Sequence, residues 1–175
     1  SEVFTVYGQA SSASVEAARI LTKFPISDIS TDRSASSIPA SGSVSFYLRL
    51  YNARHSQTLP RNFNLLVQAA SRSWEEGTGI DMEAYTDLTY DDVGANWVNA
   101  ASGSNNWTTE GGDYYSDASS SFTASFDGGT EDIELDITTL VEQWLGGAAN
   151  EAVLGSKSNY GVLVKFPDTS EEASR

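Results

Sequence analysis

Val44-Ser45-Phe46-Tyr47-Leu48-Arg49-Leu50-Tyr51 alternates apolar Val44, Phe46, Leu48 and Leu50 with Ser45, Tyr47, Arg49 and Tyr51. Successive side chains of a strand point to opposite faces, so a period of two turns one row onto a core and the other outward. The same pattern recurs at residues 63–69, with Phe63, Leu65, Val67 and Ala69. It returns at Phe122, Ala124 and Phe126, at Ile133, Leu135 and Ile137, and at Val162, Val164 and Phe166. Val3–Tyr7 and Ala18–Phe24 are further strand candidates. Ser- and Gly-rich segments at 34–43, 100–106, 116–121 and 146–158 separate them. Many short strands with such punctuation predict an all-β fold, an antiparallel β-sandwich of the jelly-roll kind.

One segment has a different period. Asp136-Ile137-Thr138-Thr139-Leu140-Val141-Glu142-Gln143-Trp144-Leu145-Gly146 places Ile137, Leu140, Val141, Trp144 and Leu145 on one stripe of a helix. This predicts one short α-helix near residues 137–145, N-capped by Asp136 and ended by Gly146 in the left-handed conformation. So short a helix cannot stand alone, so Trp144 is expected to be buried.

The chain has 175 residues, the length of one domain, and 39% hydrophobic with 11% aromatic residues is enough for a core. No apolar run reaches membrane-spanning length. Ser1-Glu2-Val3-Phe4 lacks the basic region and apolar block of a signal peptide. With 24 acids against 10 bases the net charge is −14. That balance argues against nucleic acid and anionic membranes as partners, because both require clustered Lys and Arg. It serves solubility, with a carboxylate-rich cation site as the sharper alternative. The absence of cysteine removes disulfides, thiolate zinc sites and cysteine nucleophiles.

Candidate chemistry is sparse. The single histidine, His55, follows a strand in Asn52-Ala53-Arg54-His55-Ser56 and reads as a solvated loop residue. There is no Gly-x-Ser-x-Gly elbow and no phosphate-cradling glycine motif. Asp91-Asp92 and Glu131-Asp132 lie beside Gly-containing turns, where acids usually cap or face solvent. The expectation is therefore a non-enzyme with no catalytic residues and no cofactor. Calcium is the open alternative, with Asp81, Glu83, Asp113 and Asp117 as candidate ligands in oxygen-rich loops that lack EF-hand spacing. Trp97, Trp107, Tyr114 and Tyr115 could form a sugar-stacking row if exposed. The flanks of Trp74, Trp97 and Trp107 favour instead tryptophans that anchor loops.

Five segments together resemble a known family: Arg19-Ile20-Leu21-Thr22-Lys23-Phe24, Phe46-Tyr47-Leu48-Arg49-Leu50, Trp74-Glu75-Glu76-Gly77, Asp136 to Trp144, and Asn159-Tyr160-Gly161-Val162-Leu163-Val164. Their order is similar to the DNRLRE-type domain, a carbohydrate-binding-module-like jelly roll of bacterial surface proteins, over residues 15–166. The variant with Trp74-Glu75-Glu76-Gly77 and Trp107-Thr108-x-x-Gly111-Gly112-Asp113-Tyr114 resembles structural proteins of tailed phages, marine ones especially. Those proteins run on beyond the position of Arg175, which implies a piece of a longer protein; the polar residues 167–175 are expected to form a frayed tail. The resemblance implies a non-catalytic assembly module of a virion, capsid- or tail-associated, docking by its loops to other virion proteins and homo-oligomeric. The alternative is a glycan-binding or adhesin module at a cell or phage surface.

Overall fold

The computed structural model describes residues 19–54, 60–77, 94–146 and 156–173. The expected strand at Val3–Tyr7, His55, Asp81, Glu83 and the pair Asp91-Asp92 lie outside them. In chain order the elements are β1 (Ile20–Thr22), α1 (Ile26–Ser34), β2 (Tyr47–Leu50), β3 (Phe63–Ala69), β4 (Asn99–Ala101) and β5 (Asn105–Asn106). They continue with β6 (Ser121–Phe126), β7 (Ile133–Asp136), α2 (Thr138–Leu145), β8 (Val162–Lys165) and α3 (Asp168–Ala173). Every strand pairing among the described residues is antiparallel. The fold is therefore all-β in character, with few helices. No described helix is long and apolar enough to cross a membrane.

The main sheet has the order β1-β8-β3-β6, and β2 pairs separately with β7. Alternation governs the register: Phe63, Leu65 and Val67 of β3 face Phe126, Ala124 and Phe122 of β6. Phe63 and Phe126 stack with ring centroids 4.7 Å apart. Leu48 from β2, Val67 and Ala69 from β3, and Val162 and Val164 from β8 meet in one buried cluster. Burial of that many aliphatic side chains is the main stabilising term, at about 25 cal/mol per Å² of apolar surface removed from water.

The helix α2 closes this cluster with Ile137, Leu140, Val141 and Trp144. Trp144 is buried, as its stripe requires. The termini differ in detail from the sequence expectation. Ile137 occupies the cap position, ending the strand-like run early, and Asp136 Oδ1 accepts the Thr138 N–H at 2.9 Å from one residue further out. Gly146 is not left-handed but has φ −51° and ψ 111°. It is small because a Cβ would lie 2.9 Å from the Gln143 carbonyl oxygen.

Three further differences follow from contacts that local pattern does not carry. The segment Ile26–Ser34 is a helix although only Ile26 and Ile29 are apolar in it. Arg33 in its last turn forms a two-pronged pair with Glu142 of α2, both nitrogen–oxygen distances 2.8 Å, and Glu142 is 3% exposed. The tail does not fray at once: Asp168–Ala173 is helical. The Ser-Gly segment 100–106 likewise contains most of the β4–β5 hairpin.

The Asn159-Tyr160-Gly161 entry to β8 is welded to β1. Asn159 Nδ2 donates to the Phe24 carbonyl at 2.8 Å, and its Oδ1 accepts the Gly161 N–H at 3.0 Å. Gly161 has φ +79°, and a Cβ there would fall 1.9 Å from the Thr22 carbonyl oxygen. Only glycine allows β1 to come this close.

The Arg33–Glu142 pair supports a test of α1. Arg33→Ala leaves a buried carboxylate without its partner and is expected to cost about 3 kcal/mol in urea denaturation at pH 7. The double variant Arg33→Met with Glu142→Leu should lie much nearer the parent. The Arg33 hydrogen bonds hold the Glu142 carboxyl below the ordinary glutamate value despite burial. Its contribution is therefore complete above that ordinary value and is lost as pH falls through the lower folded one. The double variant should show a shallower acid limb.

Candidate functional site

The end of β3 sets up the site. Ala70 bridges Tyr114, the Tyr115 N–H donates to the Ala69 carbonyl at 2.9 Å, and the Ser71 N–H donates to the Asp113 carbonyl at 2.9 Å. Residues 113–115 therefore run antiparallel to 69–71 and extend the sheet by a short irregular edge. Beyond it, Trp74 and Trp107 are buried with Ala70 and Ala100 in a second cluster. Each indole N–H has a fixed acceptor: Trp74 donates to the Tyr160 carbonyl at 2.7 Å and Trp107 to the Asn96 carbonyl at 2.8 Å. Lys23 adds a bond to the Trp74 carbonyl at 2.7 Å and lies 4.8 Å from its ring centre. These tryptophans anchor loops.

Between the loops lies an open cleft of about 490 Å³, lined by Ser71, Arg72, Thr108, Thr109, Gly112, Asp113 and Tyr114. That volume is in the range of small-ligand sites. Asp113 organises its floor. Its Oδ2 accepts the Thr108 N–H and its Oδ1 the Thr109 N–H, both at 2.9 Å, and Arg72 Nη1 is 4.0 Å from Oδ2. Burial pushes the Asp113 carboxyl up, but these N–H groups, the Thr108 hydroxyl and the Arg72 charge outweigh it, and the net shift is downward. At neutral pH it is an acceptor only. One carboxylate, one half-exposed guanidinium, three hydroxyls and a half-buried tyrosine suit a ligand rich in hydroxyl groups.

The structure separates the residues that the sequence grouped. Of the four carboxylates considered for calcium, Asp113 lines the cleft and Asp117 lies elsewhere. Asp117 accepts the Ser119 hydroxyl at 2.5 Å and the Lys157 ammonium at 3.3 Å, and the Ser119 hydroxyl above all lowers its carboxyl. Among the described residues no three His, Cys, Asp or Glu side chains are placed to hold a metal ion. Of the aromatics considered for sugar, only Tyr114 lines the cleft. Trp107 is 6% exposed and offers no open face. Trp97 is covered by Arg19, whose guanidinium carbon is 5.0 Å from the ring centre, and Tyr115 by Lys157 at 5.2 Å.

Ser71, Arg72, Thr108 and Thr109 were not among the expected site residues. A signal for two of them is present in Trp107-Thr108-x-x-Gly111-Gly112-Asp113, where an aspartate five and four residues beyond two threonines can turn back onto their N–H groups. Ser71-Arg72 carries none, since it enters the cleft only through the pairing of Ala70 with Tyr114.

Protein-family models, curated proteins and solved structures contain no match to this chain.

Asp113→Ala should leave the Thr108 and Thr109 N–H groups without their acceptor. The expected cost is about 2 kcal/mol at pH 7, because hydrogen bonds to a charged group are the stronger kind. The lowered carboxyl stabilises the fold above the ordinary aspartate value and ceases to as pH falls through its folded value. Urea melts at pH 7 and below pH 4 should show the gap between parent and variant narrowing with acid.

Proposed function

We propose that this chain is a non-catalytic binding module, a jelly-roll sandwich that holds a glycan in the cleft between Arg72 and Tyr114 at a cell or phage surface. The supporting observation is the cleft itself: hydroxyl, guanidinium and carboxylate groups converge on one space with a tyrosine as its apolar wall. The loops around it are fixed in advance by buried tryptophans, so little ordering entropy remains to oppose a ligand. Asp113 supports a binding role over an acid–base one, because it is ionised and held by two backbone N–H groups. Preparations of the chain on a glycan array should retain at least one polysaccharide class. Arg72→Ala should weaken that binding at least tenfold with an unchanged melting temperature. Absence of any retained glycan, or full binding by Arg72→Ala, overturns the reading.

A second reading, a virion assembly module that docks onto other virion proteins or its own copies, is favoured by a different observation. Tyr47 and Tyr51 are 52% and 74% exposed on the outward row of the β2 segment, beside the Arg49–Glu134 pair. Exposed tyrosines of this kind are typical anchors of protein interfaces. Light scattering across a concentration series should then reveal an oligomer that Tyr47→Ser with Tyr51→Ser dissolves. A strict monomer at high concentration, with no binding to virion proteins, rejects it.

A further inference from the structure

We propose that the C-terminal helix α3 is a latch whose docking sets the shape of the cleft wall. Its meaning for a ligand rests on the glycan reading of the cleft, whereas the mechanical coupling rests on contacts alone.

The helix has six residues, Asp168–Ala173, too few to persist undocked. It is held through carboxylates one turn apart. Glu171 forms a two-pronged pair with Arg19, 2.5 Å from Nη2 to Oε2 and 3.2 Å from Nε to Oε1, both side chains 11% exposed. Asp168 pairs with Lys165 of β8, and Glu171 Oε2 lies 3.9 Å from the same ammonium. The Lys165 side chain is fully buried. A buried ammonium is tolerated only with partners at hand, and its carboxylate partners among the described residues both come from α3.

The two cations pass this docking on to the cleft. Arg19 directs its remaining nitrogen, Nη1, to the Gly111 carbonyl at 3.0 Å while its plane covers Trp97. Gly111 has φ +87°, and a Cβ there would lie 2.7 Å from that nitrogen and 3.0 Å from Trp97, so the loop is shaped around the arginine. The Gly111 N–H returns to the Trp97 carbonyl at 2.7 Å. Lys165 reaches the other end of the same wall, its ammonium 5.0 Å from the centre of the Tyr114 ring. Release of α3 removes the carboxylates from both cations at once, and both then draw on the wall at 107–115. Docking of the helix and order in the wall are one equilibrium, so occupation of the cleft and docking of α3 favour each other equally.

Amide hydrogen exchange of the full chain by mass spectrometry tests this without any ligand. Glu171→Ala should speed exchange at least tenfold in peptides covering 107–115 and 166–173 and leave β6 and α2 at parent rates. Arg19→Lys keeps a charge pair with Glu171 but cannot also reach Gly111, so it should loosen 107–115 with 166–173 still protected. Parent-like exchange at 107–115 in either variant overturns the latch, as does an equal rise in β6 and α2, which marks general destabilisation. A loosened wall in a chain that binds no glycan rejects the ligand reading and keeps the latch.

Discussion

A strand covered on both faces must hide every side chain it carries, and β8 carries a lysine. It lies between β1 and β3 in the main sheet, with Val162, Leu163, Val164 and Lys165 all buried. Three of these fill apolar space. The fourth brings a charge into it, and that charge dictates what is built around it: carboxylates from α3 on one side and the ring of Tyr114 on the other. That ammonium touches both the C-terminal helix and Tyr114 of the cleft wall, and Glu171 links it to Arg19. Replacement of such a network by apolar groups often leaves a protein no less stable, so the network is better read as fixing geometry than as adding stability.

The sequence spoke clearly where burial is periodic. The run 63–69 became β3 with those bounds, and the stripe from Ile137 to Leu145 became α2 on the core, because one-sided burial leaves its mark on neighbouring residues. It was silent where an element depends on a distant partner. Nothing in Ile26–Ser34 announces a helix held by Glu142, and nothing near Glu171 announces an arginine 152 residues earlier. The cleft was half legible for the same reason. Asp113 and its threonines are local in sequence, but Arg72 joins them through a sheet edge. The aromatic row failed as a platform because tryptophans flanked by small and polar residues pack into the loops they are meant to anchor.

The segments that carry the family resemblance turn out to have structural duties. Asn159 and Gly161 fasten β8 to β1, Trp74 ties a loop to Tyr160, Asp136 braces the first turn of α2, and Trp144 completes the core. None of these residues lines the cleft. These residues specify a scaffold, and a scaffold of itself does not name a function.

The place of β8 in the sheet also bears on how the chain reaches its native state. The last of the described strands lies between two early ones, since Ile20 pairs with Val164 and Val67 pairs with the same residue from the other side. During synthesis β1 and β3 must wait with open backbone edges until β8, about a hundred residues beyond β3, has been made. Closure over such a span carries a large loop-entropy cost before any pairing rewards it, which makes folding slow. It also leaves nascent chains exposed to edge-to-edge association, a hazard that the strong like-charge repulsion of an acidic chain reduces.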